Sequence, residues 1–324
     1  MKKSLFLLVF YFLVSCTNKE PKTTSFYYWK TVFQLSNAEK KVLAQNNVDK
    51  LYVRYFDVGL TNGTPMPLAP VFFKDKKIKE TIVPVVFIKN EVFLSKELKT
   101  EDLVFKIIRL IDQINQVNHM KTNEIQIDCD WSLASRDRYV AFLKLLKVKY
   151  AKTISTTIRL HQIKYFRATK VPPVDYGVLM FYNMGKLEAN GINSIYDKKI
   201  ALQYLPALKK YPLPLKVALP IFSWMVHSRN NEIIHLISKT SREDFRNNPT
   251  FEIEKNTISV QKNTLFKGFF FKEGDKLHLE EISEHDLKEM KSLLSAYMNK
   301  EPDEIIYYDL DENNLKKYPN EFHF

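Results

Sequence analysis

Residues 124–130 read EIQIDCD, and they alternate without a break: Ile125, Ile127 and Cys129 fall on one side, Gln126, Asp128 and Asp130 on the other. Period two is the repeat of a β-strand. One face is apolar enough to pack against helices. The other carries three polar side chains, which a dry core would reject. A barrel strand whose inner face climbs into a solvated mouth satisfies both faces, and it places Asp128 and Asp130 where barrel chemistry sits.

Similar runs, short and rich in β-branched and aromatic residues, occur at 25–34, 50–58, 82–88, 154–161, 177–183, 216–223 and 304–310. Helical periodicity lies between them. Ser36 caps a helix over 37–46, with Glu39 three residues on. Leu103, Ile107, Leu110, Ile111 and Ile114 form an apolar stripe on a helix over 101–117. Segments 136–150, 198–210 and 285–298 follow the same pattern. Eight strands alternating with helices predict an α/β architecture, the (β/α)8 TIM barrel. Residues 226–283 are too many for a loop and contain the strand-like TISVQ, GFFFKEG and DKLHLEEI. They predict a small β-rich insertion between strand 7 and helix 7. The helix after strand eight is expected to be short or missing.

Composition narrows the function. The 324 residues include only 7 glycines, and no two can form a G-x-G-x-x-G or P-loop spacing. Neither a Rossmann enzyme nor a P-loop NTPase is therefore expected. The net charge is +12, but Lys and Arg are spread along the chain without a recognisable module, so no nucleic-acid partner is expected. The seven histidines show no H-x-x-x-H and no pairing with cysteine, and no G-x-S-x-G is present. No metal and no cofactor is therefore expected.

The first sixteen residues are MKKSLFLLVFYFLVSC. Lys2 and Lys3 precede an apolar stretch, Leu5 to Leu13, too short for a lasting membrane span. Leu13-Val14-Ser15-Cys16 resembles a bacterial lipobox. The resemblance implies a lipoprotein signal peptide over 1–15, lipidation of Cys16, a tether over 16–24 and a barrel over 25–324. It also implies membrane attachment through the lipid on Cys16, at the outer membrane of a Gram-negative cell envelope. With Cys16 acylated, Cys129 has no disulfide partner, and its place among Ile125 and Ile127 reads as buried filler.

Barrel sites form at the carboxyl ends of strands. Those ends supply Asp128 and Asp130 as candidate catalytic residues, with Trp29, Arg54, Asp57, Arg159, His161, Tyr182, Asn183 and Trp224 as candidate substrate-binding residues. Thr157, Arg159 and His161 are expected on one face of strand five. Aromatic rings present flat faces to the apolar side of a sugar, while carboxylate, amide and guanidinium groups bond its hydroxyls. The expected ligand is a glycan or another polyhydroxylated molecule. Alternatively, Arg54, Asp57, Asp128, Asp130 and Arg159 form an internal ion-pair network that only solvates the barrel.

The run Ile127-Asp128-Cys129-Asp130-Trp131-Ser132 resembles the fourth-strand motif D-x-x-D-x-D-x-E of glycoside hydrolase family 18, the chitinase-like barrels. Asp128 and Asp130 match its second and third aspartates. Met180-Phe181-Tyr182-Asn183 is similar to the family's M-x-Y-[DN], and Leu219-Pro220 and Tyr308-x-x-Asp311 resemble its seventh- and eighth-strand ends. The insertion stands where that family carries a subdomain. The departures matter as much. Ile125 replaces the first aspartate and Ser132 the glutamate that, in the family, protonates the glycosidic oxygen while the substrate's acetamide attacks. A serine cannot supply that proton. The pattern QIDCDWS-x-x-x-R-x-x-Y-x-x-F-L also resembles a group of exported barrels of unknown function. Together these imply an envelope lipoprotein that binds or processes a glycan in the barrel mouth, using Asp128 or Asp130 if it is an enzyme. The alternative is a non-catalytic carbohydrate-binding or scaffold lipoprotein.

Overall fold

A computed structural model describes residues 23–189, 193–254 and 257–318. The expected signal peptide, the expected lipidation site Cys16 and the expected tether up to residue 22 lie outside the described residues. Thr23 and Thr24, expected in the tether, instead open the first strand, paired with Glu304 and Ile305. Threonine suits this place because its branched Cβ packs well on a pleated surface.

Eight parallel strands form the barrel: β1 (Thr23–Tyr28), β2 (Lys50–Thr61), β3 (Thr81–Ile88), β4 (Glu124–Asp128), β5 (Thr153–Arg159), β6 (Tyr176–Met180), β7 (Leu215–Pro220) and β8 (Glu304–Tyr308). Each pairs with the next, and β1 pairs with both β8 and β2, so the ring closes without a free edge. Inside, Tyr27 Oη donates to Gln126 Oε1 at 2.7 Å, and Gln126 Nε2 reaches Ser155 Oγ at 3.4 Å. Gln126 thus stands on the inner face that alternation assigned to it, its polar atoms satisfied across the barrel. At the amino end, buried Glu304 is paired with Lys216 at 2.6 Å and Lys50 at 3.5 Å and closes the floor.

Helices α1 (Asn37–Gln45), α2 (Thr100–Val117) and α3 (Arg136–Lys149) lie between strands. Ser36 and Glu39 form the expected capping box on α1. The single helix expected over 198–210 is broken into α-helix Lys198–Leu202 and 3-10 helix Leu205–Lys210. Pro206 explains the break, since its ring would collide with the carbonyl one turn back and it has no N–H to give. After β8 one helical turn remains, Glu312–Leu315, capped by Asp311.

The insertion leaves β7 almost at once. Strands Ser223–Arg229, Glu232–Ser238, Phe251–Glu254, Thr257–Val260 and Lys276–Glu281 make an antiparallel sheet, with a further hairpin at Thr264–Phe266 and Phe269–Phe271. Met225, Ile237, Phe245, Phe251, Phe271 and Leu277 give it a core of its own. The architecture is a (β/α)8 TIM barrel with a β-rich insertion after its seventh strand.

Candidate functional site

At the carboxyl ends of the strands the barrel opens into a cleft of two lobes. The larger, about 460 Å³, is lined by Asp130, Ser132, Arg159, His161, Tyr182, Asn183 and Tyr204 among others. The smaller, about 320 Å³, is lined by Trp29, Asp128, Trp224, Lys239, Tyr308 and Asp309, and again by Arg159, Tyr182 and Asn183. These last three stand between the lobes. Asn183 follows β6 with φ at 53°, a left-handed turn that asparagine adopts more readily than most residues.

Asp128 ends β4, half-buried, and its Oδ1 accepts from Thr157 Oγ1 on β5 at 2.6 Å. Burial pushes its carboxyl up to about 6, against the pull of the Thr157 bond and with a further push from the Asp130 charge. Asp130, two residues on, is more exposed. It takes both arms of the Arg159 guanidinium, Nε at 2.6 Å and Nη2 at 3.1 Å. Burial works against the charge on Arg159, but the Asp130 carboxylate outweighs it and holds the guanidinium above its ordinary value.

An aromatic wall runs across the smaller lobe. Trp29 lies 5.6 Å from Tyr308, Tyr308 stacks on Tyr182 at 5.6 Å and 27°, and Tyr182 meets Phe222 at 5.8 Å. Phe222 in turn lies 5.1 Å from Trp224. The wall follows from the strand ends, because β1 and β8 finish in tyrosine, Tyr182 and Phe222 each come two residues after β6 and β7, and the four strands are neighbours in the ring. The third tryptophan, Trp131, is buried and stacks on Tyr139 at 4.8 Å.

Some expectations are corrected. The strand-five face ends at Arg159; His161 lies in the short helix Leu160–Lys164, exposed at the rim of the larger lobe. Burial and the Arg159 charge hold its imidazole below the usual value. Arg54 and Asp57 line neither lobe and bind each other at 2.7 and 2.8 Å. The five-residue ion-pair network is therefore two separate pairs, Arg54–Asp57 and Asp130–Arg159, with Asp128 bonded to a neutral threonine. Ser132 lines the larger lobe, but its atoms are engaged at the start of α3: its N–H donates to Ser135 Oγ at 2.9 Å, and its Oγ lies 3.3 Å from the same atom.

The cleft also holds a carboxyl that motif reading passed over. Asp309, half-buried just beyond β8, accepts from Asn314 Nδ2 at 2.6 Å. Burial pushes it up to about 6; Asp311 adds to this, while Lys239 and Lys30 oppose it. The Tyr308-x-x-Asp311 pattern draws attention to Asp311, whereas Asp309 is the aspartate that lines the lobe. Asp311 caps the last helix and pairs with Lys30 and Lys239, each at 3.1 Å. The strand-end rule alone points to Asp309. Lys239 and Ser238 reach the lobe from the insertion, where no sequence signal marked them. Among the described residues no group of three or more His, Cys, Asp or Glu side chains is placed to hold a metal ion.

No protein-family model and no curated protein matches the chain. Solved structures do match in fold. The spore cortex-lytic enzyme SleL of Bacillus cereus is 14% identical with a TM-score of 0.54, over 93% of this chain and 74% of that one. A mutant family 18 chitinase from Cycas revoluta, in complex with (GlcNAc)4, is 9% identical with a TM-score of 0.54, over 93% and 98%. A chitinase-like agglutinin from Robinia pseudoacacia is 8% identical with a TM-score of 0.50, over 92% and 99%. Identities this low bear on the fold alone, and the fold shared with these proteins is the (β/α)8 barrel.

Proposed function

We propose that the protein is a glycan-binding barrel of the cell envelope, gripping sugar rings in the two-lobed cleft. The observation that carries this reading is the aromatic wall from Trp29 through Tyr308, Tyr182 and Phe222 to Trp224, set beside Asp128, Asp130, Arg159 and Asn183. Flat apolar faces beside fixed donors and acceptors suit a molecule that is hydroxylated at its edges and apolar across its rings. The first probe is (GlcNAc)4, because one structure of similar fold holds it and another is an agglutinin. Calorimetry of the protein with (GlcNAc)4 tests the reading. Measurable affinity that falls at least tenfold in Trp224→Ala supports it; no heat and no melting shift at millimolar ligand rejects it for this glycan class.

A second reading, glycan processing, is favoured by one observation: Asp128 and Asp309, two carboxyls that burial pushes up to about 6, line the same lobe. We also propose that lipid on Cys16 anchors the protein to the outer membrane, on the strength of Leu13-Val14-Ser15-Cys16. Cys16→Ala should leave the membrane fraction, while the parent protein should stay in it through a high-salt wash.

A further inference from the structure

We infer that Asp309 and Asp128 form the proton-transfer pair of this cleft, so that a carboxyl following strand eight does the work for which Ser132 is unfit. The inference rests on the glycan-binding reading and goes beyond it.

Three carboxylates line the two lobes: Asp128, Asp130 and Asp309. Asp130 is committed to a bidentate bond with Arg159, which occupies both of its oxygens. Asp128 and Asp309 differ from it. Among the described residues neither has a cation within salt-bridge distance, and the hydrogen-bond partners of their side chains are neutral, Thr157 Oγ1 and Asn314 Nδ2. Each is half-buried, so each keeps a surface toward the lobe. Both lie close enough to the stacked Tyr182 and Tyr308 for their charges to act on both phenols. A sugar resting on that wall would have one carboxyl from β4 and one from beyond β8 within the same lobe.

The surroundings of the two groups are of mixed charge. Asp128 faces Asp130, Asp57 and Arg159, with Tyr27, Tyr182 and Tyr308 around it. Asp309 faces Asp311, Lys239 and Lys30 as well as the same two tyrosines. Neither has a dedicated counter-ion, so one can carry a proton while the other is ionised, the division of labour that acid–base hydrolysis needs.

The step balances with water as the second reactant. The Asp309 carboxylic acid gives its proton to the glycosidic oxygen, and the C1–O bond breaks with its electron pair moving to that oxygen. Water adds to C1 and passes a proton to the Asp128 carboxylate. Exchange with solvent then returns Asp128 to its ionised form and Asp309 to its acid. No cofactor is required.

The test uses the full chain with (GlcNAc)4, following products by mass spectrometry from pH 4 to pH 8 and affinity by calorimetry in parallel. The expected result is hydrolysis fastest near pH 6, with Asp309→Asn and Asp128→Asn each losing about 10²–10⁴-fold in rate while affinity changes less than about tenfold. Formate added to Asp309→Ala should restore part of the rate, a response that a purely structural role would not give. Binding without hydrolysis by the parent protein overturns the inference and leaves the glycan-binding reading standing. Hydrolysis that survives Asp309→Asn within fivefold also overturns it. Absence of binding removes the glycan-binding reading and the inference together.

Discussion

The indole of Trp224 donates from Nε1 to Glu280 Oε2 at 2.8 Å, across a directly paired position of the insertion sheet. The same oxygen accepts from the backbone N–H of Ser194 at 3.1 Å and from its hydroxyl at 2.5 Å. Glu280 is fully buried. One carboxylate therefore fixes the tryptophan at the cleft rim to the segment that follows β6. Ser238, opposite Trp224 on the other neighbouring strand, also lines the lobe, so this row of the insertion acts as a side wall of the barrel mouth.

Removing that carboxylate should loosen the wall. Glu280→Ala strands the Ser194 and Trp224 donors in a buried place, at a cost of about 1–3 kcal/mol each if nothing replaces the bond. Glu280→Gln keeps an acceptor oxygen and should lose less. Thermal melting ranks the two variants, and tryptophan fluorescence reports whether the indole has become more solvated. An unchanged emission maximum in Glu280→Ala would show that Trp224 is held by packing alone.

Asp130→Asn should barely alter stability. The pair it breaks with Arg159 is partly exposed, with side-chain exposures of 53% and 27%. Such pairs contribute about 0.2–1 kcal/mol even with good geometry. Glycan affinity should respond more, because Arg159 stands between both lobes and would lose its orienting partner. A melting loss well beyond ~1 kcal/mol, with affinity untouched, would make the pair a structural strut.

The two raised carboxyls give stability a definite pH dependence. Asp128 and Asp309 sit near 6 in the folded protein, above the ordinary carboxylate range of the unfolded chain. The folded state thus binds these protons more tightly. Their favourable contribution is complete below about pH 4 and is lost as pH rises through 6, by at most ~3 kcal/mol for each group before solvent screening. Asp128→Asn and Asp309→Asn should each flatten the fall in Tm between pH 5 and pH 7, after correction for other groups. Equal slopes in parent and variants would place both pKa values in the ordinary range.

How far the sequence could be read depended on whether the relevant pattern was local. The barrel was legible because period-two alternation at 124–130 and the aromatic strand ends are properties of single strands. Asp128, Asp130, Tyr182 and Trp224 follow from the same rule, and the structure brings them to one cleft. His161 was misplaced because the chain turns into a helix just after Arg159, and no proline or glycine marks that turn. Arg54 looked like a ligand group, yet Asp57 satisfies it three residues on, and a register irregularity between Arg54 and Phe56 accompanies the pair. Lys239 and Glu280 matter through partners far along the chain, a kind of information that periodicity does not carry. Asp309 is the instructive case, since the motif match to Asp311 drew the eye from a residue the strand-end rule already indicated.

Lys239 offers the sharpest probe of Asp309. It extends from the insertion to pair with Asp311 at 3.1 Å, while Lys30 reaches the same Asp311 oxygen from beyond β1 at 3.1 Å. Both cations hold the Asp309 carboxyl lower than burial alone would set it. Lys239→Ala removes one of them and leaves Lys30 on Asp311, so the last helix should keep its cap and the fold its stability to within about 1 kcal/mol. The Asp309 carboxyl, with less positive charge nearby, must then hold its proton to a higher pH. Because Lys239 is about half exposed, at 49%, the shift should be a fraction of a pH unit at low salt and should shrink toward zero near 1 M salt. Any pH-dependent signal of the cleft, whether (GlcNAc)4 affinity, hydrolysis or the slope of Tm against pH, should move upward by that amount in Lys239→Ala. Lys30→Ala should act in the same direction and additionally weaken α1, since Lys30 also pairs with buried Glu39 of the capping box at 2.7 Å. A downward shift, or one indifferent to salt, would mean that Asp309 does not control the signal.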